Sequence, residues 1–250
     1  MSTPILTAEQ LAGVHARLER ADENIRNLNI EIRAFLNERP AGGFSEDKQQ
    51  AAREYAKFRA ERTVPLRLRV MAGEIAHHLR AALDYVAWNL STEAYRLSDE
   101  RKIGFPVLTE GPPTGNKRAF YNGQIQGITS AEAKAIIERV QPYHAANPFD
   151  DPLAIVHELD RVNKHQALVL VDNTWDFSIT LPLPLTIGEV IIGPNVSYED
   201  FVRRPKQKLK FEFTPQISFA RLGQRTGQNV IPSLTHLSNA VRNIVNLFGP

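Results

Sequence analysis

Seven side chains in two well-separated segments have the types that move protons and hold anions. Glu74, His77, Arg80 and Asp84 lie within MAGEIAHHLRAALDYVAWNL (71–90), and Asp160, Lys164 and His165 within HELDRVNKH (157–165). A histidine exchanges protons near neutral pH, an arginine or lysine holds a phosphate or carboxylate, and an aspartate fixes the orientation of an imidazole. On that chemistry Arg80 and Lys164 are the anion holders, His77 and His165 the proton carriers, and Asp84 and Asp160 the orienters. Glu74 and His77 also form one Glu-x-x-His step of the kind that di-metal helical bundles use. A two-metal site needs a second such step and further carboxylates, which only the fold could recruit from Asp84, Asp160 and His165.

The first segment has the periodicity of a helix. At 100° per residue, Met71, Ile75, Leu79, Ala82, Leu83, Val86 and Leu90 fall within an arc of about 160°. Opposite them lie Glu74, His77, Arg80, Asp84 and Trp88, and the 77, 80, 84, 88 spacing predicts that His77, Arg80 and Asp84 touch one another. Pro65 suits the start of this helix, which is expected to run to about residue 97. The second segment follows Asp151 and Pro152, a cap and a first-turn proline. Its apolar arc is Ile155, Val156, Leu159 and Val162, backed by His157, Asp160, Arg161, Lys164 and His165. The plain alternative to an active site is an ion-pair network joining the two helices.

Thr7 and Gln10 have the spacing of a capping box, and after them Leu11, Val14, Leu18, Ala21, Ile25, Leu28, Ile32 and Phe35 follow a 3-4 alternation. This heptad seam predicts a helix over 8–38 that pairs with another helix. A second copy of the chain or a protein partner is one candidate; the central helix of the same chain, which also needs its apolar arc covered, is the expected one. Residues 44–65 read as a polar helix by propensity, GFPVLTEGPPTGNKR as a loop, and 130–141 as a short helix capped by Thr129 or Ser130, burying Ala135, Ile136, Ile137 and Val140 and stopped by Pro142. From Ala167 the period changes. ALVLVDN, DFSITLPL, EVIIGP and KLKFEFTPQISFA predict about four antiparallel strands, closed by an amphipathic helix over about 232–248 with Leu234, Leu237, Ala240, Val241, Ile244 and Leu247 inward.

The fold class expected is therefore α+β: a helical portion over 1–165, then a small antiparallel sheet and C-terminal helix over 166–250, together one compact unit. With 250 residues, 42% of them hydrophobic, the chain is long enough to bury a sizeable core. It has no cysteine, which excludes disulfides, thiolate metal sites and a Cys nucleophile. No apolar run is long enough for a membrane span and the first residues lack a signal-peptide pattern, so a cytoplasmic protein is expected. The net charge of +2 is uneven: residues 201–250 carry eight Lys or Arg against Glu212 alone, leaving positions 1–200 acidic. The run RRPKQKLK (203–210) is a candidate contact for a nucleic-acid backbone, although lysines on a strand also keep a sheet edge from pairing.

Taken in order, GEIAHHLRAALDYVAWNL, FPV, QPYH and PLAIVHELDRVNKHQAL resemble an uncharacterised bacterial family that shares a GE/D-x-x-H-x-L-R-x-A-L-D helix and a later L-D-x-x-x-K-H segment. The likeness spans about 73–168. It implies that the two polar segments belong together, and it implies no activity and no cofactor. Asn163 stands where that family often has Asp, and Tyr85 where it often has His. Three functions are open to such a chain. The main one is a binding or scaffolding module whose polar helices lock together. The second is an RNA-binding or RNA-cutting site of the HEPN type, whose Arg-to-His spacing this chain meets only at Arg139 and His144, across Pro142. The third is a metal-dependent bundle enzyme using Glu74 and His77.

Overall fold

The computed structural model describes residues 4–249 apart from 44, 48–49, 52–53, 56, 59–60, 112–113, 166–167, 169 and 181–209. Its first helix, α1 (Ala8–Asn37), starts at the capping box anticipated from Thr7: the Gln10 amide donates to Thr7 Oγ1 at 3.3 Å and the Thr7 amide to Gln10 Oε1 at 2.9 Å. All eight residues of the heptad seam are buried. They face α2 (Leu66–Leu90), which buries Leu68, Ala72, Ile75, Ala76, Leu79, Ala82, Leu83 and Val86 in return. The two run antiparallel, since Asn89 Nδ2 donates to Gln10 O at 2.6 Å at one end and Arg67 pairs with Glu31 near the other. The seam is thus filled within the chain, and a partner approaching α1 would meet its outward residues, such as the exposed Ile30.

The central helix is shorter than its sequence suggests. Ser91 is extended (φ −78°, ψ 143°), and Thr92 starts a separate helix, α3 (Glu93–Asp99), by accepting from the Tyr95 amide at 3.4 Å. What breaks the helix is a competing backbone partner. Ser91 bridges Ile128 and the Thr92 amide donates to Gly127 O at 2.9 Å. A helix the sequence did not announce, α4 (Gly115–Ile125), follows the Gly/Pro-rich loop, and α5 (Ala131–Arg139) has Ser130 as its cap. In α5 the buried residues are Ala133, Ile136 and Ile137, while Ala135 faces water. Within 44–65, residues 50–51, 54–55 and 57–58 are helical.

Asp151 caps α6 (Pro152–Asn163), its carboxylate accepting from the Leu153 amide at 2.8 Å. Two expected strands are one: β1 (Leu170–Thr180) carries a register shift between Val171 and Thr174 and pairs antiparallel with β2 (Lys210–Phe219). A two-residue β3 (Gln228–Asn229) completes the order β1-β2-β3. The expected strand EVIIGP and most of the basic run 203–210 lie outside the described residues. The last helix, α7 (Val230–Val245), buries Leu234, Leu237 and Val241, and beyond its end Phe248 is buried while Leu247 is exposed.

One apolar cluster takes in residues of α1, α2, α6, β1, β2 and α7, so the sheet and the helices share a core. Polar contacts tie the chain ends into it. Asp22 of α1 accepts from Ser238 Oγ and pairs with Arg242, each at 2.6 Å, and the Leu6 amide donates to Phe248 O at 2.8 Å. Among the described residues no helix is long and apolar enough to cross a membrane. Because the α1 seam carries so much of this core, Leu18→Ala is expected to lower unfolding free energy by about 2–5 kcal/mol. Urea denaturation checks this, with the midpoint falling and the slope unchanged.

Candidate functional site

The two polar segments meet. α2 and α6 approach so closely at Gly73 that an added Cβ would lie 1.8 Å from Asn163 Oδ1. This brings Asp160, only 2% exposed, against the polar side of α2. Its two oxygens are used separately: Oδ1 accepts from His77 Nδ1 at 2.9 Å and Oδ2 pairs with Lys164 Nζ at 2.7 Å. A carboxylate can only accept here, so His77 has its proton on Nδ1 and turns Nε2 outward. The side chains of His77 and Lys164 are 52% and 56% exposed, leaving their tips in water above a buried acid.

A second knot lies one turn further along α2. Arg80, 7% exposed, directs Nη2 to Asp84 Oδ1 and to the carbonyl of Phe105, both at 2.7 Å. The same Asp84 oxygen accepts from the Phe105 amide at 2.9 Å, so both polar groups of that peptide are bound by an i, i+4 pair on one helix. Gly104 lets the loop come this close. A Cβ there would sit 3.3 Å from Gln124 Nε2 and 3.4 Å from Asp84 Oδ1. The loop is held again by Gln141, whose Oε1 accepts from the Leu108 amide at 3.0 Å and whose Nε2 donates to Pro106 O at 3.1 Å. All four segments of the resemblance, α2, 105–107, 141–144 and α6, therefore converge.

Burial is the first cause of both pKa shifts in and beside the network. Burial pushes the Asp84 carboxyl above the usual aspartate range, outweighing Arg80, the Phe105 amide and Lys164, which act the other way. Burial also lowers the pKa of His157, and the Arg80 charge adds to the effect while Asp160 and Glu158 oppose it. Among the described residues, His157 Nδ1 and Arg80 Nη1 are both buried without a hydrogen-bond partner.

Several sequence expectations change against this geometry. Arg80 and Asp84 touch, but His77 turns away from them to Asp160. Asp160 does orient a histidine, whereas Asp84 holds Arg80 and the 105 peptide. Arg80 is buried and engaged, which removes it as an anion holder. His165, past the end of α6, is exposed and its side chain makes no hydrogen bond or ion pair among the described residues. Glu74 is exposed, and among the described residues no three His, Cys, Asp or Glu side chains gather as a metal set, so the Glu-x-x-His step stands alone. Arg139 ends α5 while His144 lies in a separate 3₁₀ turn, Pro142–His144. Gln141 and Gly104 complete the network, and neither gave a periodic signal; His157 lies buried beside it, within the influence of the Arg80 and Asp160 charges.

Outside the network, α2 presents Tyr85 and Trp88, each 39% exposed. A cleft of about 320 Å³ opens beside Trp88, lined by Glu93, Arg96, Leu97 and Glu100. The chain matches no family model, no curated protein and no solved structure, and its function is read from this geometry.

The depressed His157 pKa has a signed consequence. Below the ordinary imidazole value of 6.5 the unfolded chain takes up a proton that the folded chain refuses, so stability falls as pH drops through that window. His78, shifted the same way, adds to the slope. His157→Gln should therefore flatten the loss of stability between about pH 7.5 and about pH 5 without abolishing it, as read from urea midpoints across that range.

Proposed function

We propose that this chain is a binding module in which the polar contact between α2 and α6 is a structural lock, and in which recognition falls to what the locked helices present to solvent. The observation that supports it most is the burial of Arg80 with both acceptors supplied from within, Asp84 and the Phe105 carbonyl. A guanidinium bonded in this way fixes a loop against a helix. His77 and Lys164 share one buried carboxylate, which engages both side chains before any ligand arrives. The lock thus sets the spacing and rotation of α2, and the outward side of α2 becomes a fixed platform.

An RNA-cutting site gains one observation, an exposed imidazole oriented by a buried acid beside a lysine. It lacks an arginine free to hold a phosphate at that place, since Arg80 is enclosed and Arg161 pairs with Glu158 at 2.7 Å.

The lock reading sets an order of stabilities. Arg80→Met takes the guanidinium from the Phe105 carbonyl and leaves Asp84 with the Phe105 amide alone, and should cost about 3 kcal/mol, whereas His77→Ala, half in water, should cost under about 1 kcal/mol. Urea unfolding of both variants decides. The reverse order overturns the proposal, as does a catalysed turnover that His77→Ala abolishes at unchanged stability.

A further inference from the structure

The exposed arc of α2 faces a cation on α1 that no carboxylate pairs with among the described residues. At 100° per residue, Glu74, His77, His78, Ala81, Tyr85 and Trp88 fall within about 100° of one another, a face roughly 21 Å long. Across from it on α1 stands Arg17. Its Nη1 donates to His78 Nδ1 at 3.3 Å, its Nη2 donates to the Tyr85 hydroxyl at 3.0 Å, and its guanidinium carbon lies 5.2 Å from the centre of the Tyr85 ring. All these partners are neutral. Among the described residues Arg17 has no carboxylate, in contrast to Arg20, which pairs with Glu23, and Arg67, which pairs with Glu31.

The surroundings of Arg17 are positive. The pKa of His78 is lowered first by burial and then by the charges of Arg17, His77 and Arg20, against which only Glu74 acts in the other direction. The Arg17–His78 contact also fixes a tautomer. Since the guanidinium can only donate, His78 Nδ1 is the acceptor, and its ring proton is on Nε2. Arg17, His78 Nε2 and the Tyr85 hydroxyl then form a cluster of donors with an uncompensated cation at its centre. Such a cluster selects an anion, and the flat, planar donors of arginine suit a phosphate.

Two aromatic rings extend the same face. Tyr85 and Trp88 are one helical turn apart, so their Cβ atoms are separated by about 5–6 Å. Arg96 lies over the Trp88 ring, 5.7 Å from its centre, which leaves the indole backed by a cation. Arg17 at Tyr85 and Arg96 at Trp88 thus set two cations beside two partly exposed rings, with Glu93 and Glu100 also lining the cleft at Trp88; cations beside aromatic rings are the elements that hold a single strand of nucleic acid, by backbone charge and base stacking. A duplex hides its base faces and would leave Trp88 unused. A phosphopeptide would use Arg17 and leave the ring idle.

We propose that the face formed by Arg17, His78, Tyr85 and Trp88 binds a single-stranded nucleic-acid segment, with a phosphate on Arg17 and His78 and bases stacked on Tyr85 and Trp88. This rests on the binding-module reading, because it needs α1 and α2 held in fixed rotation. It uses no residue of the 203–210 run, and its four residues adjoin the His77–Asp160–Lys164 cluster, the His77 and His78 ring centres being 6.2 Å apart.

Fluorescence anisotropy of the whole chain with a labelled oligouridylate, measured over a series of salt concentrations, tests it. The wild type should bind with a salt-dependent affinity. Arg17→Gln should weaken binding and make the slope of log affinity against log salt shallower by about 0.7, the value of one phosphate on a single strand. Trp88→Ala should weaken binding about tenfold, with little change in slope. Lys102→Gln, at a lysine already paired with Asp99 at 2.7 Å, should bind as wild type. No binding by the wild type at low salt overturns the proposal, and so does wild-type affinity in both Arg17→Gln and Trp88→Ala, which would place binding elsewhere, as on 203–210. Full competition by inorganic phosphate together with wild-type affinity in Trp88→Ala would show a phosphate receptor, and overturn it too. Arg80→Met stability is a separate measurement, so failure here is distinguishable from failure of the lock.

Discussion

A guanidinium taken out of water costs several kcal/mol unless its hydrogens are met by acceptors of good geometry. Arg80 is such a group, and the placement of the 104–105 loop follows from how its Nη2 is satisfied. One acceptor lies four residues on, at Asp84, which any helix supplies. The other is the backbone carbonyl of Phe105, which only the right placement of a loop supplies. Once the Phe105 peptide is fixed by both of its polar groups, its side chain is carried into the core, where it meets Phe248 edge-on with ring centres 6.4 Å apart. A charge on α2 thereby decides where the end of the chain packs.

The other sides of α2 are equally committed. Its apolar arc fills the α1 seam, and its Gly73 edge lies against α6. What is left is the arc centred on Ala81, between α1 and α6. A helix held on three sides by an apolar seam, an ion-pair lock and a close glycine contact has little freedom to rotate, and a surface that recognises something needs that rigidity. The functional reading thus follows from packing. The side chains with the most suggestive chemistry are mostly consumed in positioning, and the residues left for recognition look, in sequence, like an ordinary outer face.

That division explains what could be read from the residue order. The 3-4 spacing from Leu11 to Phe35 announces α1 because a seam leaves a period, and Arg80 with Asp84 is legible because four residues make one turn. The cap at Asp151 and Pro152 is local in the same way. The pairing of His77 with Asp160 joins positions 83 apart and has no period; only the resemblance hinted that the segments meet. The end of α2 was missed because Ser91 and Thr92 leave the helix for partners at Ile128 and Gly127, a choice made by tertiary contacts over a stretch of good helix formers. Helix α4 was hidden by the Gly and Pro before it. Arg17 escaped notice for a further reason: heptad patterning marks the positions between seam residues as solvated, and nothing in that pattern shows that Tyr85 and His78 flank it.

The raised pKa of Asp84 adds the last step. For an exposed ion pair the arginine would dominate and hold the carboxyl below its ordinary range; here burial outweighs Arg80, the Phe105 amide and Lys164 together. With Arg80 buried and Asp84 partly open to water, the pair selects one arrangement of loop and helix through its bonds to the Phe105 peptide. Such a network penalises any other register of the loop, because a displaced 104–105 segment would strand a buried cation. Among the described residues Arg80 Nη1 and His157 Nδ1 are left without partners, so the network fixes position while leaving two polar atoms unmet there. Arg17 is the opposite case, a cation in a half-open place with neutral partners. The same residue type on facing sides of one helix pair therefore separates into a positioning role within and a recognition role without.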